Sequence, residues 1–213
     1  MVEKQKKLKT FLTNERKNIL FEQAKLCSSL EGNIAEFGVA YGEISVELAK
    51  KYPNKMIYSF DTFEGFKTIP EEYFNASPQF DVKIYKIKYN QDYEWDPEWG
   101  IDFPWEDILK NLEKYNNILI KKGLFPSTTV GLENEKYCFA HIDVDIYSST
   151  LLGLQYFYPR LTSGGVIVID DFHLDPNHFP GVRQAIENFF NTKAENVVEV
   201  KAHGQGIIQK LSL

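Results

Sequence analysis

A chain of 213 residues, 43% hydrophobic and 25% charged, is long enough to bury one substantial core and reads as a single domain over residues 1–213. Its net charge of -6 argues against a general nucleic-acid binder, which needs a basic face for the phosphates. No apolar run approaches the roughly 20 residues of a membrane span, and the basic Lys4 to Lys9 start is not followed by the apolar stretch of a signal peptide.

The first predicted element is an amphipathic helix from Asn14 to Ser28, which mixes Ile19, Leu20, Ala24 and Leu26 with charged residues. A strand from Asn33 to Phe37 then runs into Gly38-Val39-Ala40-Tyr41-Gly42, a helix ending near Lys51, and a strand from Met56 to Phe60 capped by Asp61. Strand, glycine-containing loop, helix, strand and terminal acid together make a nucleotide-binding half-domain. Residues 67–104 form a long connection rich in aromatics and acids, expected to be a lid or substrate insertion, or else extra elements on the core edge. A helix from Trp105, a strand at Ile118 to Ile120, the stretch Gly123 to Thr128 and a strand from Tyr137 to Ile142 follow. The spacing then predicts a helix over 148–160, a turn at Thr162 to Gly165, a strand ending at Ile169, a helix after Pro180, and closing strands at Val197 to Val200 and Ile207 to Leu211. Seven mostly parallel strands with helices on both faces make this an α/β chain. Cys27 and Cys138 fit no zinc spacing, and Cys138, inside a predicted strand, reads as a buried thiol of a reducing, cytoplasmic setting.

Two features carry chemistry. The loop after the first strand has Gly38 and Gly42 but not the third glycine of a dinucleotide fingerprint, which favours a cofactor without a pyrophosphate and points to S-adenosylmethionine. Asp61 stands where an acid accepts ribose hydroxyls, or else caps the turn that follows. The second feature is a pair of apolar runs ending in acids, Phe139 to Asp145 and Val166 to Asp171. A right-handed crossover lays such strands side by side, so that Asp143, Asp170 and Asp171 meet at the carboxyl edge of the sheet. Three carboxylates there suit a hard divalent cation such as magnesium, which beside a methyl donor would bind and acidify an acceptor hydroxyl. Asp145, two residues further on, reads as a cap or ion-pair partner, and some of the other acids are alternatively partners of Arg160 or Arg183. His173 is either a general base or a surface-loop histidine, and His141 reads as a core residue.

At these residues the chain resembles the macrocin O-methyltransferase (TylF-like) family. The matching stretches include Ala35-Glu36-Phe37-Gly38-Val39, Phe60-Asp61-Thr62-Phe63-Glu64-Gly65, Gly123-Leu124-Phe125-Pro126-Ser127-Thr128, His141 to Thr150, Val168-Ile169-Asp170-Asp171-Phe172 and Pro180 to Ala185. The resemblance implies a class I methyltransferase (Rossmann-like) fold and transfer of a methyl group from S-adenosylmethionine to a hydroxyl of a sugar or sugar-bearing small molecule, with magnesium. It assigns the metal to Asp143, Asp170 and Asp171, with Asp143 doubling as the base. The expected cofactor contacts are Glu36, Gly38, Tyr41, Gly42 and Ser45, then Asp61 and Thr62, then Gly123, Leu124 and Phe125; His173 is the second catalytic candidate. Partners reduce to a small hydroxyl acceptor and a homo-oligomer. The competing readings are a metal-independent small-molecule methyltransferase, a nucleotide-sugar glycosyltransferase using Asp143-Val144-Asp145, a degenerate binding protein, and an NAD dehydrogenase.

Overall fold

The computed structural model describes residues 10, 12–75, 105–172, 179–190, 197–200 and 204–211. Along the chain these form α1 (Asn14–Cys27), β1 (Asn33–Phe37), α2 (Glu43–Lys51), β2 (Ile57–Asp61), α3 (Glu71–Asn75), α4 (Trp105–Leu112), β3 (Ile118–Lys122), β4 (Tyr137–Ile142), α5 (Tyr147–Arg160), β5 (Leu161–Ile169), α6 (Pro180–Phe190), β6 (Val197–Val200) and β7 (Gln205–Gln209). The strands make one seven-stranded sheet in the order β3-β2-β1-β4-β5-β7-β6. Strands β1 to β5 pair in parallel, and β7 inserts antiparallel between β5 and β6.

The central strands are buried on both faces, which is why they read as apolar runs rather than alternations. On one face Ile34, Ile57, Phe139, Val166 and Val168 pack beneath Leu20, Ala24 and Cys27 of α1 and Ile44, Leu48 and Ala49 of α2. On the other, Phe37, Phe60, Ile142 and Ile169 pack with Phe125, Phe157 of α5 and Val182 and Ile186 of α6. Thr13 caps α1, its hydroxyl accepting from the Arg16 N–H, so the helix starts where its first turn overlooks the strand ends.

Two boundaries differ from the sequence reading. β5 begins at Leu161 and absorbs the expected turn, because the β4–β5 register slips between Tyr137 and Phe139. The last strand lies two residues earlier than expected, at Gln205–Gln209. Most of the aromatic connection, at 76–104, and its lid assignment lie outside the described residues, as do His173, His178 and His203.

Candidate active site

The path from β1 through α2 leads to β2, whereas that from β4 through α5 leads to β5 on the opposite side. Open α/β sheets bind ligands in the crevice left at such a divide. A cavity of about 520 Å³ opens there, within the usual range for small-molecule sites. Its walls come from the strand ends of β1, β2 and β4, the loop after β3, and the start of α1.

Gly38 holds the loop after β1 against the end of β4. At φ +91 it is left-handed, and a Cβ there would lie 1.8 Å from the carbonyl oxygen of Asp143. Asp61 organises the same loop from the side. Its Oδ2 accepts from the N–H groups of Val39 (2.7 Å) and Ala40 (3.1 Å), and its Oδ1 from that of Phe63 (2.7 Å). The turn-capping role is therefore real, and the same carboxylate also lines the cavity. Gly38, Thr62, Gly123, Leu124 and Phe125 line it as well.

Four other expected contacts are not among the lining residues. Glu36 and Ser45 lie beneath the strand ends, where the Ser45 hydroxyl donates to Glu36 and meets the Ser59 hydroxyl at 2.6 Å. Tyr41 packs against the Val39, Val46, Phe63, Ile108 and Leu112 cluster, and Gly42 abuts Leu112 at the head of α2. The physical reason is side-chain direction: Glu36 follows the strand alternation onto the α1/α2 face, opposite Phe37.

The acids meet in two overlapping sets. Ligand atoms of Asp143, Asp145 and Asp171 lie within 4.8 Å of one another, and so do those of His141, Asp143 and Asp170. Asp143 belongs to both sets. Asp170 is sealed inward: His141 Nε2 donates to its Oδ2 at 2.5 Å, and Gln205 Nε2 does so at 3.3 Å. Arg16 Nη1 lies 3.5 Å from Asp170 Oδ1 and 3.3 Å from Asp171 Oδ1. The basic partner is thus Arg16, not Arg160 or Arg183, which bond to Tyr156 and Glu187. Asp145 joins the cluster because its φ of +62 turns the chain back after β4.

Burial, then the charges of Asp170 and Asp171, push the Asp143 carboxyl well above the usual carboxylate range. Burial, then Asp171 and Asp143, does the same to Asp145. Burial alone would lower His141, but the hydrogen bond to Asp170, then the Glu36 carboxylate 3.7 Å from Nδ1, outweighs it and raises the imidazole to about 10.

Backbone strain marks the same place. Among the described residues, those other than glycine with positive φ are Ala40, Phe63, Asp145, Asp171 and Phe179, and all five line the cavity. Left-handed non-glycine residues persist where the surroundings over-determine them, commonly at ligand sites.

Sheet order, cavity and loop define a class I methyltransferase, and solved structures agree on the fold. The O-methyltransferase NovP superposes with a TM-score of 0.67 at 17% identity, covering 93% of this chain and 79% of that one. CalS11, a calicheamicin methyltransferase, gives 0.62 at 18% identity, with 93% and 81% covered. The chain belongs to the macrocin O-methyltransferase (TylF) family, whose model matches residues 15–203, and is an S-adenosylmethionine-dependent O-methyltransferase. The glycosyltransferase and dehydrogenase readings fall with that membership.

Two relatives are similar along the chain. Mycinamicin III 3''-O-methyltransferase of Micromonospora griseorubida is 23% identical over 195 residues, 85% of this chain and 70% of the relative. The 8-demethyl-8-(2,3-dimethoxy-alpha-L-rhamnosyl)-tetracenomycin-C 4'-O-methyltransferase of Streptomyces olivaceus is 24% identical over 159 residues, 70% of this chain and 56% of the relative. No described helix is long and apolar enough to cross a membrane.

Proposed function

We propose that the chain methylates a hydroxyl of a sugar or sugar-bearing small molecule and that its acidic cluster holds a magnesium ion or another hard divalent cation. The observation that carries the reading is one cavity whose wall includes both the loop organised by Asp61 and the cluster of Asp143, Asp145 and Asp171. The sugar acceptor is supported by the two relatives, one named for 3''-O-methylation of mycinamicin III and the other for 4'-O-methylation of a rhamnosyl tetracenomycin.

The donor set fits a hard cation. It is all oxygen, its members are crowded enough to repel one another, and Asp170 Oδ1 is buried without a hydrogen-bond partner among the described residues. Asp143 and Asp171 with Asp145 or Asp170 are the residues that would hold it. Such a cation supplies Lewis acidity to an acceptor hydroxyl and a fixed direction for it, and S-adenosylmethionine supplies the methyl group.

The chain's own residues do the remaining work. Asp61, Thr62, Gly38 and the Gly123-Leu124-Phe125 segment enclose the donor end of the cavity, with Asp61 free to accept ribose hydroxyls through its remaining lone pairs. Leu12, Phe66, Ile69 and Phe179 provide apolar wall that excludes water from the acceptor. The Asp143 carboxylate, which a bound cation would keep ionised, takes the proton of the acceptor hydroxyl as the methyl group passes from sulfur to that oxygen and S-adenosylhomocysteine is released. Free, buried Cys27 and Cys138 support a reducing, cytoplasmic location.

A metal-independent reading has one specific support: Arg16 already offsets charge on Asp170 and Asp171. Calorimetry with S-adenosylmethionine, with and without magnesium, followed by turnover on a rhamnosyl acceptor after chelation, separates the two. Full turnover in the chelated enzyme removes the metal from the proposal.

A further inference from the structure

We propose that His141 is a positioning residue, whose ring anchors one oxygen of Asp170 and so aims the other at the acidic cluster. The inference rests on the metal reading of the site given above. Asp170 follows the last residue of β5, and its N–H donates to the Ile142 carbonyl at 2.9 Å, which fixes the backbone. The side chain still has a choice of rotamer. His141 Nε2 at 2.5 Å and Gln205 Nε2 at 3.3 Å both hold Oδ2, which leaves Oδ1 buried without a hydrogen-bond partner among the described residues, 3.5 Å from the Arg16 Nη1 that also meets Asp171 Oδ1 at 3.3 Å.

His141 is itself held from behind. Its Nδ1 lies 3.7 Å from Glu36 Oε1, and Glu36 accepts from Ser45, whose oxygen also meets that of Ser59. Register explains the alignment: Ser59, Glu36 and His141 face one another across β2, β1 and β4 on a single sheet face. The register of β5 with β7 brings Gln205 beside Asp170. Glu36, Ser45, Ser59, His141, Asp170 and Gln205 are each at most 1% exposed.

Apolar side chains would fill this volume at lower cost, since buried charges are costly to desolvate and paired ones seldom beat a hydrophobic replacement. A row of polar residues that ends on a cluster acid serves orientation instead. Carboxylates that ligate metals are themselves held by hydrogen bonds, and losing such a partner weakens metal binding.

The test compares the wild-type chain with His141→Gln and His141→Leu. Glutamine places an N–H donor the same number of bonds from Cα as the imidazole Nε2; leucine places none. Magnesium affinity is read by calorimetry with S-adenosylhomocysteine bound, and S-adenosylhomocysteine affinity is read alone. His141→Leu is expected to lose about 10- to 100-fold in magnesium affinity, His141→Gln to stay within a few-fold, and S-adenosylhomocysteine binding to hold in both. Equal magnesium affinity in wild type and His141→Leu overturns the inference and leaves the metal reading intact, as does a glutamine variant as weak as leucine. No uptake by wild type overturns both. Should His141→Leu fail to fold, the Nε2–H resonance of wild-type His141 is followed by NMR as magnesium is added. A shift supports the relay to Asp170, and an unmoved resonance at saturation refutes it.

Discussion

Replacing Gly38 by alanine strikes the point where the donor loop and the acidic cluster are built on one another. The backbone there is at φ +91, which costs a side-chain-bearing residue of order 1–3 kcal/mol. The new methyl group would sit 1.8 Å from the Asp143 carbonyl oxygen and 2.7 Å from its carbon, so backbone rather than a flexible side chain must move. Overpacking of that kind costs about 1–3 kcal/mol more. The sum, roughly 2–6 kcal/mol, is a large part of the 5–15 kcal/mol that holds a typical domain together. In a chain of this length it lowers Tm by about 5–20 °C. Urea titration followed by tryptophan fluorescence measures the loss. Calorimetry should show S-adenosylhomocysteine and magnesium affinity falling together, because displacing Gly38 also displaces Asp143. Ala40→Gly is the control of opposite sign: its φ of +46 strains alanine and not glycine, so stability should rise by about 1 kcal/mol. A Gly38→Ala chain as stable as wild type, with both affinities intact, refutes the reasoning.

Other outcomes follow from the same geometry. Asp61→Ala strips the acceptor from three backbone N–H groups, at about 1 kcal/mol each, and should abolish S-adenosylhomocysteine binding in calorimetry; normal affinity would show that the acid only shapes the turn. Asp143 and Asp145 titrate above the usual carboxylate range, so the metal-free fold holds protons that the unfolded chain releases. Their effect is therefore a stability that falls as pH rises from about 4 toward the raised values. Asp145→Asn should accordingly raise the metal-free Tm at neutral pH but not near pH 4, and a Tm difference that ignores pH would contradict this. His141, raised to about 10, contributes stability that is complete below its ordinary 6.5 and lost as pH climbs through the raised value. Its ring nitrogens should keep the imidazolium NMR signature at pH 8.5, and a neutral ring there would refute the ion pair with Asp170.

Much of the fold was legible because central parallel strands must be apolar on both faces, so β1, β4 and β5 announce themselves by composition and end where acids begin. The cavity acids Asp61, Asp143 and Asp171 could be read for that reason. Asp145 could not: its place depends on a left-handed residue after β4, which no pattern of residue types marks. Arg16 was hidden differently, since it reaches Asp171 across 155 positions from a helix whose charges look like an ordinary solvated face. That Glu36 and Ser45 do not line the cavity was hidden because a motif says which residues lie near a cofactor loop but not which sheet face each takes. Once the register is known, Glu36, Ser59 and His141 form a row, and the inward direction of Glu36 follows.

If one cavity holds a methyl donor beside a cation gripped by the acids, magnesium titration of the S-adenosylhomocysteine complex by calorimetry must detect that cation. Wild type should take up a single ion, and Asp143→Ala, which removes the member common to both ligand sets, should lose about tenfold or more in magnesium affinity while binding S-adenosylhomocysteine normally. A wild-type complex that takes up no magnesium, or an Asp143→Ala complex that takes it up equally well, would contradict it.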